Sequence, residues 1–257
     1  MDMEQQGEHD LRDSSSSVRE TPRPSRDDMS TFSQVVSFAP SLSAEQFEHD
    51  VYLDNVISKP WGHEYRVYAD LFYDVWQLCL SAGERTSVHC HPRKETALLC
   101  LSGQGKVRLL DREYPIQPMS VIWFRKGVFH STENVGNTPL DLIEVETPRN
   151  KLDLVRVQDR YGRKGRSYET ATGEGELCAF KQLSQPLNAK LRATSMFDAY
   201  EFDVVPGADV AARQGLFAVS LSLDNAFQQQ LVIASAAHEK AAVLEPAAPY
   251  LVISKAL

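Results

Sequence analysis

Between residues 65 and 157 the apolar side chains come in short β-type runs, at 65–69, 75–81, 97–101, 106–110, 120–124, 128–132 and 140–146. Turn-forming pairs break them: Ala82-Gly83, Ser102-Gly103, Asp111-Arg112, Lys126-Gly127 and Gly136-Asn137. Many short strands at this spacing predict antiparallel sheets folded into a sandwich or barrel. The alternation of strands with long helices that a Rossmann-type sheet requires is missing from the pattern.

The flanking segments read differently. Residues 1–31 hold Ser14-Ser15-Ser16-Ser17 and few large apolar side chains, so burial cannot offset the entropy of ordering them, and a disordered tail is expected. Residues 32–56 form an arm with a short helix, because Ser43 and Gln46 stand at capping-box spacing. The β-rich domain spans 57–166, and residues 167–176 are a Gly-rich linker. From 177 to 257 strand patterns resume at 200–205, 217–223, 230–234, 241–244 and 250–254, with a turn at Pro206-Gly207. This reads as a degenerate second β unit.

Composition narrows the function classes. Lys and Arg number 27 against 35 Asp and Glu, a formal charge of −8, and 4 basic and 8 acidic residues fall within 1–31. A nucleic-acid binder needs a concentrated positive surface, so that class is excluded. No apolar run approaches the roughly 18–20 residues of a membrane helix, and the acidic start does not read as a secretory signal. A cytoplasmic location follows as an expectation. The four cysteines, Cys79, Cys90, Cys100 and Cys178, lack CxxC spacing and are read as reduced, buried apolar residues.

The chemistry concentrates in one segment. His89 and His91 lie two residues apart, and side chains at i and i+2 of a strand project from one face. Glu95 follows a break at Pro92 and can return a carboxylate from the next strand. His130 lies further on, where a strand pairing back across a barrel brings it beside the others. Three imidazoles and a carboxylate in an apolar barrel predict one divalent metal ion (Zn, Fe, Ni or Mn) held by His89, His91, Glu95 and His130. Four protein ligands leave positions for substrate or water, as in a catalytic site. Arg125, Lys126, Arg160 and Arg163 are candidates to hold an anionic substrate, since guanidinium groups match phosphate. Glu144 is the candidate general base, with Glu146 in the same strand parity; parity alone leaves open whether this face points inward.

His89-x-His91-x3-Glu95, between Gly83 and Gly103, resembles the first motif of the cupin superfamily. Arg125-x-Gly127-x2-His130-x3-Asn134 resembles the second. The resemblance narrows with Lys59-Pro60-Trp61-Gly62, Ser102-Gly103-x-Gly105-Lys106-Val107, Pro139-Leu140-Asp141-Leu142-Ile143-Glu144-Val145 and Asp159-Arg160-Tyr161-Gly162-Arg163. These blocks look like the cupin domain of type II mannose-6-phosphate isomerases, which often sits at the C-terminus of mannose-1-phosphate guanylyltransferases. The match implies an all-β cupin fold, a double-stranded β-helix or jelly-roll barrel, over about residues 57–166. Four departures stand out. No nucleotidyltransferase loop precedes the cupin. His89 replaces a usual glutamine. Arg93-Lys94-Glu95-Thr96-Ala97 replaces an Arg-Ala-Glu-His-Trp run, and the interval from Glu95 to Gly103 is one residue longer than the commonest form.

Three functions are therefore weighed. The first is a metal-dependent aldose–ketose isomerase acting on a sugar phosphate in carbohydrate metabolism or polysaccharide biosynthesis. The second is an iron-dependent cupin dioxygenase, motivated by the three-histidine, one-glutamate set. The third is a ligand-binding cupin without catalysis. The expected partner is a small molecule, with no nucleic acid or membrane, and a homodimer follows by analogy with other cupins.

Overall fold

The computed structural model describes residues 18–36, 56–69, 74–148, 153–163, 193–197, 200–210, 218–222, 234–235, 246–247 and 249–255. In chain order the elements begin with β1 (Arg19–Glu20) and α1 (Arg26–Val36). The strands β2 (Val56–Lys59), β3 (Gly62–Ala69), β4 (Asp74–Leu80), β5 (Val88–Cys90), β6 (Glu95–Ser102) and β7 (Gly105–Leu109) follow. After them come β8 (Glu113–Ile116), β9 (Val121–Phe124), β10 (His130–Asn134), β11 (Leu140–Thr147) and β12 (Val155–Gln158). The last part holds β13 (Ala193–Phe197), β14 (Tyr200–Pro206), α2 (Gly207–Val210), β15 (Ala218–Ser222), β16 (Ala234–Ser235) and β17 (Pro249–Lys255).

Two sheets make the expected cupin-type barrel. One is seven-stranded, in the order β1-β9-β6-β11-β4-β3-β2, and the other runs β12-β5-β10-β7-β8. Strand alternation sorts the side chains between two cores. Leu140 and Leu142 of β11, Leu98 and Cys100 of β6, and Trp76, Leu78 and Leu80 of β4 point inward, against Val107 and Ile116 of the second sheet. Their neighbours Ile143, Val145, Ala97, Leu99, Leu101 and Val75 point outward. There they meet Val204, Leu251 and Ile253 of a third sheet, ordered β13-β14-β17-β15-β16. A sheet buried on both faces needs apolar residues at both parities, which is why Val121–Phe124 reads VIWF rather than as an alternation.

Tight turns fix where the strands begin. Gly127 has φ +81°, a left-handed conformation that side chains disfavour. It closes the turn in which the Val128 N–H donates to the Arg125 carbonyl, just before β10. At Gly103 (φ +85°) a Cβ would lie 2.6 Å from the Pro139 carbonyl oxygen, so the two chains can touch only without a side chain. Asn134 braces the far end of β10, donating to the carbonyls of Leu80 and Thr138 at 2.9 and 2.8 Å.

The N-terminal expectation is corrected in part. Residues 18–31 fall within the span expected to be disordered, yet β1 pairs in parallel with β9 and α1 packs beside β12. The Val18 and Pro22 carbonyls accept the N–H groups of Val121 and Arg125. Ser25 and Asp28 form a capping box: Oγ of Ser25 accepts the Asp28 N–H at 3.1 Å, and Oδ2 of Asp28 accepts the Ser25 N–H at 2.7 Å. The apolar anchors of this helix, Phe32 and Val35, lie just past residue 31 and join Cys90, Phe129 and Val155. Counting apolar residues within 1–31 therefore missed them. The helix expected near Ser43, the linker 167–176 and the run 241–244 lie outside the described residues.

Candidate metal centre

Strand register assembles the three histidines. His89 pairs directly with His130 across β5 and β10, and His91 continues the His89 face. The ring centroids are 5.1 Å apart for His89–His91, 4.5 Å for His89–His130 and 5.6 Å for His91–His130. Phe124 stacks on His130 at 3.9 Å and an 8° tilt, fixing that ring.

All three rings share one tautomer for one reason. Nδ1 of His89 lies 2.8 Å from the Ser87 carbonyl, that of His91 2.7 Å from Asp153, and that of His130 3.0 Å from Val128. A carbonyl only accepts, so each Nδ1 carries the proton and each Nε2 keeps its lone pair. One nitrogen from each ring falls within 4.8 Å of the others, a set that could hold a metal ion. Nε2 of His91 is buried and has no hydrogen-bond partner, as a waiting ligand atom would be. Burial, followed by the charge of His130, holds His89 well below the usual imidazole value. Burial and then Lys94 do the same to His91, and burial brings His130 down to about 4. The rings are neutral, the form in which imidazole binds metals.

Glu95 departs from the expected set. It points to the outer face of β6 with Ala97 and Leu99, where Arg125 donates to it at 2.9 and 3.1 Å and the Trp123 indole N–H at 3.2 Å. The inward positions here are Lys94 and Thr96. Because β6 is apolar on both faces, its sequence cannot reveal which parity faces the histidines. The carboxylates that do face them come from β11: His91, Glu144 and Glu146 form a second group within 4.8 Å. Lys94 and Glu146 form an ion pair at 2.5 Å, both side chains at most 1% exposed. Asp153 braces this corner twice. Its carbonyl holds His91, and its carboxylate accepts the N–H groups of Arg93 and Lys94 at 2.8 and 3.0 Å.

The histidines open onto a cavity of about 60 Å³, several times the ~10–15 Å³ that one water occupies. Glu144, Glu146 and Arg163 line it, whereas Arg125, Lys126 and Arg160 do not. Arg125 is engaged with Glu95 on the outer face, and Lys126 and Arg160 are exposed. Arg163 is oriented by Asp159 at 2.7 Å and by the Tyr161 ring at 5.2 Å. The sequence reading missed Lys59, Lys94 and Arg156, which also line the cavity. Lys59 pairs with buried Glu64 at 3.6 Å. Lys59 and Arg156 lie on short strands and Lys94 in the loop before β6, where the apolar pattern carries no parity signal, so only packing reveals them. Trp61 lines the same wall and is 5% exposed, within the inner core.

Residues 46–159 match the family model described as mannose-6-phosphate isomerase C-terminal. The chain is 30% identical over 117 residues to mannose-1-phosphate guanylyltransferase ManC of Salmonella typhimurium, covering 45% of this chain and 24% of that protein. Against the mannose-1-phosphate guanylyltransferase of Escherichia coli it is 32% identical over 118 residues, with the same coverage. The chain thus spans about a quarter of the length of these relatives. The capsular polysaccharide assembling protein CapF of Staphylococcus aureus aligns at 20% identity and a TM-score of 0.37, covering 40% of this chain and 34% of that one. Among the described residues no helix is long and apolar enough to cross a membrane. Over residues 46–159, under half of its length, the chain is similar to the mannose-6-phosphate isomerase C-terminal family.

Proposed function

We propose that this chain is a metal-dependent aldose–ketose isomerase acting on a sugar phosphate. The observation that carries the reading is the convergence of three neutral imidazoles, each with Nδ1 tied to a backbone carbonyl, in a cavity that also holds Glu144. His89, His91 and His130 would hold one divalent ion. When bound, the ion supplies Lewis-acid polarisation of the sugar's carbonyl and hydroxyl oxygens. The similarity of residues 46–159 to that family favours a mannose 6-phosphate type of substrate.

The chain's own groups do the rest. Glu144 takes the proton from C2 of the aldose and returns it to C1, while the proton of the C2 hydroxyl passes to the C1 oxygen. The sum converts an aldehyde and a secondary alcohol into a ketone and a primary alcohol. Arg163, already oriented by Asp159 and Tyr161, offers a guanidinium for the phosphate, with Arg156 on the same cavity wall. Trp61, Leu78, Leu98 and Leu154 give the pocket its apolar wall and limit water.

A second reading, an iron enzyme that uses O2, is supported by the three imidazoles with a β11 carboxylate beside them, since imidazole suits iron as well as zinc. One experiment separates the two. The purified chain is analysed for metal and assayed for interconversion of mannose 6-phosphate and fructose 6-phosphate with and without oxygen. Oxygen-independent interconversion that His91→Ala abolishes, together with its bound metal, supports the isomerase. Bound iron with substrate-dependent O2 uptake and no interconversion replaces it with the second reading.

A further inference from the structure

The first inward-facing position of β6 is Thr96, and its register partner on β11 is Glu146. A carboxylate absent from one strand is thus present on its neighbour, on the same inner face. Glu146, Glu144 and His91 each place a ligand atom within 4.8 Å of the others, so Glu146 stands within reach of an ion held by His91. The same carboxylate already has a partner. Its Oε1 accepts from the Lys94 ammonium at 2.5 Å, and both side chains are essentially removed from solvent. Lys94 is held in place from behind, where its backbone N–H donates to Asp153. A divalent ion and the ammonium therefore compete for one carboxylate, and the ammonium adds a positive charge to a low-dielectric cavity where like charges repel strongly.

We propose that Lys94 is a built-in counter-ion that takes up the charge of Glu146 beside the metal, so that the centre binds as a three-histidine site whose affinity this ammonium sets. The proposal rests on the metal reading above. It gives the departure at Lys94-Glu95-Thr96 a physical role: a centre with three protein donors keeps more positions open for substrate than one with four. Replacing the ammonium removes the repulsion and releases Glu146 as a fourth donor.

The test is titration of cobalt(II) into the metal-free full-length chain, followed by its visible bands, with zinc(II) affinity read by competition against a chelator. Lys94→Met is expected to bind at least ten-fold more tightly than the parent, with a band shift from the added oxygen donor. Lys94→Met/Glu146→Gln, which removes both charges, is expected to return to the parent's affinity and spectrum. If Lys94→Met fails to fold, Lys94→Gln, which keeps a donor toward Glu146, reads the same charge effect. Stoichiometric binding by the parent with equal or weaker binding by both Lys94 variants overturns the proposal and leaves the metal reading intact. Tightening that survives in the double variant also overturns it, because Glu146 is then not the released donor. Absence of cobalt and zinc binding in the parent and every variant overturns the metal reading and the proposal together.

Discussion

Asp28→Ala probes how far the N-terminal segment supports the strand that carries His130. The Asp28 side chain makes two kinds of bond from a buried position (4% exposed). Oδ2 completes the capping box with Ser25, and Oδ1 accepts the Phe129 N–H at 2.8 Å, one residue before His130. Losing the cap costs about 1 kcal/mol. Leaving the buried Phe129 N–H without an acceptor costs ~1–3 kcal/mol more. The sum is ~2–4 kcal/mol, which for a chain of this size lowers Tm by roughly 4–16 °C. Asp28→Asn keeps an oxygen for Phe129 but turns an amide toward the Ser25 N–H, so it loses only the cap, about 1 kcal/mol. Urea unfolding followed by tryptophan fluorescence measures both, and amide exchange at Phe129 locates the effect. An Asp28→Ala chain within about 0.5 kcal/mol of the parent, the range of ordinary surface substitutions, refutes the reasoning.

Glu95→Gln is expected to leave metal stoichiometry unchanged and to cost at most ~1 kcal/mol, since its pair with Arg125 is partly solvated; loss of bound metal on elemental analysis would restore Glu95 to the ligand set. Glu144→Gln is expected to lower kcat for isomerisation by ~10²–10⁴-fold while metal content stays at the parent level, the signature of a lost proton carrier. The metal-free chain is expected to lose stability as pH falls. His130 titrates near 6.5 when unfolded and at about 4 when folded, so between those values the unfolded state binds more protons. His89 and His91 are lowered in the same direction and steepen the loss. Urea midpoints measured from pH 7 to 4 check this, and a flat profile would show that the imidazoles are not buried and neutral.

Much of the site was legible in the sequence because period-two spacing is a local rule. His89 and His91 share a face wherever that strand lies, and Gly127 announces the turn that starts the His130 strand. The all-β class followed in the same way, from turn residues and short apolar runs. Glu95 was misplaced because β6 is buried on both faces, which erases the parity that would have shown its direction. Nor could any local pattern place Lys94 against Glu146, residues 52 apart in the chain, or bring Asp28 to the Phe129 N–H across 101 positions. The sequence by itself determined which residue types were available and which neighbours shared a strand face. The tertiary structure alone decided which strand supplies the carboxylate, because that depends on register between strands distant in the chain and on a third sheet covering the outer face.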